Sequence, residues 1–232
     1  MMNELFMNSV CFGFAATIGA YLLGIEIKKR INLAIMNPLL VAVILVISFL
    51  LVFRIDYKVY EAGSRYISFL LTPATVCLAI PLYKQLRLLK DNFAAVAGGI
   101  FSGVLASAFS IFVLSKLFGL NHEYYVTLLP KSITTAIGMG VSEEAGGIVA
   151  LTVVSIVITG ILGNVIGETV FKIFKITSPI AKGLALGTSA HAIGTSRALE
   201  LGEVEGAMGS LAIAVAGLMT VAVVPLAAGL IR

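Results

Sequence analysis

Apolar residues in this chain gather into long uninterrupted runs, without the alternation of a half-buried strand or the narrow stripe of a soluble helix. The runs extend from Leu5 to Ile25, Leu33 to Phe53, Phe93 to Phe118, Gly147 to Phe171 and Gly206 to Ile231. As helices, each reaches across a hydrocarbon layer about 30 Å thick. Five membrane spans are therefore expected. Three further apolar stretches are interrupted: Tyr66 to Tyr83 by Pro73 and Pro81, Tyr125 to Val141 by Pro130 and Lys131, and Ile180 to Leu201 by Gly183, Gly187, His191 and Gly194. Each predicts a broken helix or a segment that re-enters the side it came from.

Composition narrows the class. Of 232 residues, 59% are hydrophobic and 12% are charged, about half the charge of an ordinary soluble domain. An all-α polytopic membrane protein follows, and disordered, fibrous and disulfide-framework classes are excluded. Cys11 and Cys77 lie in apolar stretches and read as small hydrophobes. The net charge of +4 does not point to nucleic acid, because the basic residues sit between the apolar runs and form no basic face or arm.

Those basic residues instead report orientation, since Lys and Arg are retained on the cytoplasmic side. With the N-terminus outside, and with the Tyr66 and Ile180 stretches crossing while the Tyr125 stretch turns back, ten of them fall inside: Lys28, Lys29, Arg30, Lys84, Arg87, Lys90, Lys172, Lys175, Lys182 and Arg232. Five fall outside. Seven crossings plus one re-entrant segment are expected, with the C-terminus inside. No basic run precedes the first stretch, which is expected to be retained and not cleaved as a signal.

The order of span, broken stretch, span occurs twice, in residues 33–118 and again in 147–231. The starts are separated by 33 and 27 residues in the first unit and by 33 and 26 in the second. Three passes per unit, entered from opposite sides, predict an inverted repeat with discontinuous helices inside one domain of 232 residues. Many secondary transporters are built this way, with substrate near the midplane.

Three runs carry candidate chemistry. In Leu71-Thr72-Pro73-Ala74-Thr75, Thr72 suits an N-cap and Pro73 a first helical position, so a half-helix would begin inside the membrane, its free amides suited to a carboxylate. Pro81 would end or kink that helix; a Pro-kinked crossing is the competing reading. In Leu129-Pro130-Lys131-Ser132-Ile133-Thr134-Thr135, an ionisable residue follows a Pro at membrane depth. Lys131 would hold a carboxylate with Ser132, Thr134 and Thr135 as donors, or else reach the headgroups or pair with Glu143 or Glu144. In the run from Gly187 to Arg197, small residues permit unwinding or close approach. His191 and Thr195 supply ligands for an ion, proton or substrate, or simply bond between packed helices. Arg197, Glu200, Glu203 and Glu205 read as a solvated outer face or a gate. No metal spacing, HExxH or phosphate loop occurs, and a Ser132–Lys131 dyad is disfavoured because neighbours on a helix do not face each other. An enzyme is not expected, and no cofactor is implied.

Several of these residues, in order, carry a resemblance. Asn37-Pro38-Leu39-Leu40, the Thr72 to Thr75 run with Pro81-Leu82-Tyr83, Pro130-Lys131-Ser132 with Thr134-Thr135, and His191-Ala192-Ile193-Gly194-Thr195 together resemble the LrgB/CidB/YohK family over nearly the whole chain. Ala136 and Ala190 depart from that pattern. The resemblance implies an elevator-like transporter of small monocarboxylates such as pyruvate, lactate or glycolate, working by alternating access in a bacterial plasma membrane. It equally implies the other role attached to such proteins, an antiholin-like oligomeric regulator of murein hydrolase acting with a small LrgA-like partner. The substrate residues it implies are Thr72, Thr75, Lys131, Ser132, Thr134, Thr135, His191 and Thr195. Asn37, Pro38, Pro73, Pro81, Pro130, Gly187 and Gly194 are its structural or hinge positions, and a homodimer is the expected assembly.

Overall fold

A computed structural model describes residues 11–31, 38–70, 73, 76–77 and 79–231, and every regular element among them is helical. The chain divides into two compact units, Met1–Cys77 and Leu78–Arg232.

The first unit holds α1 (Phe12–Arg30), α2 (Pro38–Val52) and α3 (Tyr57–Phe69). Among the described residues α2 begins at Pro38. Within the described residues α2 has 15 residues, short of the expected span, and the last turn of α1 carries Lys28, Lys29 and Arg30. Residues 57–65, expected to be an outer loop, belong instead to a helix. Asp56 caps it by accepting from the Lys58 amide at 2.9 Å, and Tyr57, Tyr60 and Gly63 recur at helical spacing. Gly13 lets α1 approach: a Cβ there would stand 2.1 Å from the Tyr60 carbonyl oxygen. Beside it, the Thr17 and Tyr60 hydroxyls lie 2.7 Å apart. Asn37, Thr72 and Thr75 lie outside the described residues, while Pro73 is helical and exposed.

The second unit holds α4 (Ala79–Lys84), α5 (Leu86–Asp91), α6 (Phe93–Leu117), α7 (His122–Leu128), α8 (Thr135–Glu144), α9 (Val149–Ile173), α10 (Pro179–Leu201) and α11 (Glu203–Ala228). Pro81 was expected to end or kink its helix, yet α4 runs through it to Lys84. Among the described residues three helices, α6, α9 and α11, are long and apolar enough to cross a membrane, matching three of the five expected spans.

Between those helices the chain doubles back twice. Thr127 in α7 lies beside the far end of α8 and the start of α9: its Oγ1 accepts from the Ile148 amide at 2.8 Å, and its carbonyl accepts from Thr152 Oγ1 at 2.9 Å. Thr152 also bonds Ser142 Oγ at 2.6 Å. Helices α7 and α8 are therefore the two arms of a hairpin whose tip is the turn 129–134. His122 Nδ1 lies 2.6 Å from the Ile231 carbonyl oxygen, which brings the start of this hairpin to the end of α11.

The second hairpin is α10 itself. Ala190 (φ −131°, ψ 19°) and His191 (φ 42°, ψ −135°) interrupt it, and the halves fold onto each other. A Cβ on Gly194 would meet the Leu186 carbonyl oxygen at 2.3 Å; in one unbroken helix, residues eight apart stand about 12 Å apart. Both arms rest on the same part of α11, with Gly187 against Gly209 and Leu199 against Gly206. The expectation that residues 180–201 cross is thus corrected: the stretch enters and returns. An arm of 10 to 12 residues rises about 15 to 18 Å, half a bilayer. The tip lies against Gly160 and Gly163, near the middle of α9. The two hairpins enter from opposite ends of the unit.

Candidate functional site

The outward face of α6 supplies Gly99, Gly103 and Ala106 with Ser102, Ser107 and Ser110, and this small, hydroxylated strip floors a cavity of about 800 Å³. One end lies by Asn92 and Ser178, where α6 and α10 begin; its walls are the first arm of the second hairpin, including Thr188 and Ser189. Lys131 and Ser132, from the tip of the first hairpin, stand at its inner end.

Pro130 makes that tip. It cannot donate to a helix ladder, so α7 stops and the chain turns through residues 129–134 before α8 begins. The turn directs both polar side chains to one side. Lys131 Nζ donates to Ser132 Oγ at 3.1 Å, and Ser132 Oγ pairs with Ser107 Oγ at 3.0 Å. The disfavoured Ser–Lys contact therefore exists, because these neighbours occupy a turn and not a helix. Lys131 is half-buried, forms no ion pair with a described residue, and lies an α8 length away from exposed Glu143 and Glu144. Among the described residues no other charged side chain lines the cavity. The arrangement is one ammonium among hydroxyls in an apolar wall, suited to a single negative charge.

The family model for LrgB-like proteins matches residues 17–230. The chain belongs to the LrgB-like family. That family is one of membrane proteins and is not known for enzymes. No solved structure matches the chain.

In this LrgB-like chain the expected site residues separate. Lys131 and Ser132 line the cavity; Thr134, Thr135, His191 and Thr195 do not. Thr134 is the N-cap of α8 but its side chain makes no capping bond. His191 is buried, with Nε2 3.0 Å from the Ile156 carbonyl oxygen, and Gly160 leaves room for the ring. Thr195 is buried against Gly209. Gly187 and Gly194 serve close packing of the hairpin, while buried Pro130 shapes the first tip. Arg197 pairs with Glu200 and also with Glu168 of α9, tying the returning arm to that span in place of the expected solvated face. Glu205 is buried beside Gly202. Ser107 is not among the expected residues, and Thr188 is expected only as one of the polar residues of the Gly187 to Arg197 run. A serine inside an apolar span ordinarily bonds its own helix, and one hydroxyl among small residues gives no separate signal.

Proposed function

We propose that this LrgB-like protein transports small monocarboxylates by alternating access, with the carboxylate held by Lys131 and Ser132. The observation that carries this is a lone ammonium at the inner end of a hydroxyl-lined cavity, where two hairpins entering from opposite ends approach each other. At about 4 Å and an effective dielectric constant of about 20, one ammonium–carboxylate contact contributes about 4 kcal/mol. A monoanion balances this site, whereas a dianion would leave a charge unmatched.

Orientation follows from the same rule as before. The Asn92 end of the second unit carries Lys84, Arg87, Lys90, Lys172, Lys175 and Lys182, against Lys116 at the other among the described residues, so the Asn92 end faces the cytoplasm in a bacterial plasma membrane. With residues 180–201 turning back, the end of α11 lies on the outer side. Elevator-like movement within a homodimer, alongside an LrgA-like partner, belongs to this reading, whereas the expected three-pass repeat unit over 147–231 and a C-terminus inside do not, because residues 180–201 turn back.

The test is flux into liposomes containing the purified protein. Saturable uptake of labelled pyruvate, competed by lactate or glycolate and lost in Lys131→Ala, supports transport. Equal leak of unrelated solutes, untouched by Lys131→Ala, would instead support an antiholin-like, pore-associated role.

A further inference from the structure

Thr188 lies on the cavity-facing arm of the second hairpin, three residues before its tip. It is only 7% exposed, and its Oγ1 is buried with no hydrogen-bond partner among the described residues. A buried hydroxyl left unmatched costs about 1–3 kcal/mol, and a helical threonine ordinarily avoids that cost by bonding a carbonyl one turn back. The position is also specially accommodated: a Cβ on Gly103 would stand 2.7 Å from Thr188 Cγ2. Glycine at 103 is what lets this threonine seat against α6.

Beside Thr188 lies a small void of about 10 Å³, bordered by the hydroxyl-bearing residues Ser107, Ser132, Thr188 and Thr220 and by apolar residues of α6, α11 and the first hairpin tip. Ser107, Ser132 and Thr188 border the main cavity as well, so the void is its innermost recess. It is the size of a single oxygen-centred group. Lys131 is joined to it through Ser132, and that ammonium disfavours a cation there.

We propose that Thr188 is a substrate-contacting residue, supplied by the opposite hairpin from Lys131, that recognises an oxygen on the carbon next to the substrate carboxylate. This rests on the monocarboxylate reading above. The Lys131 ammonium takes the carboxylate, and the recess takes the neighbouring oxo or hydroxyl oxygen, which lies within one hydrogen-bond length of the nearer carboxylate oxygen. The Thr188 hydroxyl donates to an oxo group and either donates to or accepts from a hydroxyl. Each hairpin tip then holds one end of the molecule. A carboxylate without the second oxygen leaves Thr188 unmatched and binds less well, because sites built around a hydrogen bond discriminate against ligands that lack it.

The experiment compares labelled pyruvate with labelled propionate, which lacks the second oxygen, in liposomes containing the full chain. The wild-type protein is expected to favour pyruvate. Thr188→Val keeps the shape and removes the hydroxyl: KM for pyruvate should rise about tenfold while propionate kinetics stay unchanged. Thr188→Ser should keep the preference, and Gly103→Ala, which displaces Thr188, should lose it. A wild-type protein that treats the two acids alike, or a Thr188→Val change equal for both, would overturn the assignment while leaving Lys131-dependent uptake standing. Uptake indifferent to Lys131→Ala would overturn the transport reading itself.

Discussion

Gly194 packs against the carbonyl of Leu186, so closely that a Cβ on the glycine would lie 2.3 Å from that oxygen and 2.7 Å from the Ala190 Cβ. This contact joins the two arms of one hairpin, and backbone atoms cannot yield as a flexible side chain can. Gly194→Ala is expected to lower stability by about 3 kcal/mol through overpacking. Gly98 in α6 has nothing within 4 Å of its Cβ direction, so Gly98→Ala should be neutral or slightly stabilising. Thermal unfolding of both variants in detergent measures the difference; equal midpoints would mean that the arms do not meet.

The same hairpin fixes which side of the membrane its ends occupy. With Cys11 and Cys77 replaced by serine, single cysteines at Ser178 and Gly202 should react with an impermeant maleimide from the same side. Reaction from opposite sides would restore a straight crossing of residues 180–201.

His191 is the apex of that turn, with φ of 42°, a backbone region that costs an L-residue about 1–3 kcal/mol and glycine almost nothing. Both His191→Ala and His191→Gly lose the bond to the Ile156 carbonyl. Only the glycine variant relieves the backbone, so it should be about 1 kcal/mol more stable than the alanine variant. Equal stability would contradict the strained turn. Because His191 anchors the hairpin away from the cavity, the proton dependence of any uptake should be the same in His191→Gln.

How much of this was legible depends on the residue. Pro130 and Lys131 announced themselves, because a proline and a charge inside an apolar stretch have few inexpensive placements in lipid. The break at Ala190 and His191 falls in the expected stretch, but the charge count takes as a crossing what is a hairpin. A hairpin of two half-helices and one full crossing share length and hydropathy, and only tertiary contacts such as Gly194 on Leu186 distinguish them. The α3 helix was passed over because Lys58, Glu61 and Arg65 gave it the polarity of a loop, although Asp56 marked its start. Thr188 carries no local signature, since its role depends on Gly103 of another helix.

Arg197 holds the returning arm to α9 through Glu168, with both side chains about one-third exposed or less, at 26% and 34%. A double-mutant cycle with Arg197→Ala and Glu168→Ala should give a coupling of about 0.5–1 kcal/mol, the range of partly screened pairs. No measurable coupling would mean that the ion pair does not fasten the hairpin to the span.

The central claim, that a carboxylate occupies the cavity at Lys131, is tested most directly by chemical protection. In protein lacking Cys11 and Cys77, a cysteine replacing Ala106, an exposed residue of the cavity floor, is alkylated in the presence and absence of pyruvate. Pyruvate should slow alkylation saturably when Lys131 is present and have no effect in Lys131→Ala. Protection that survives loss of Lys131, or no protection in either protein, would contradict the account.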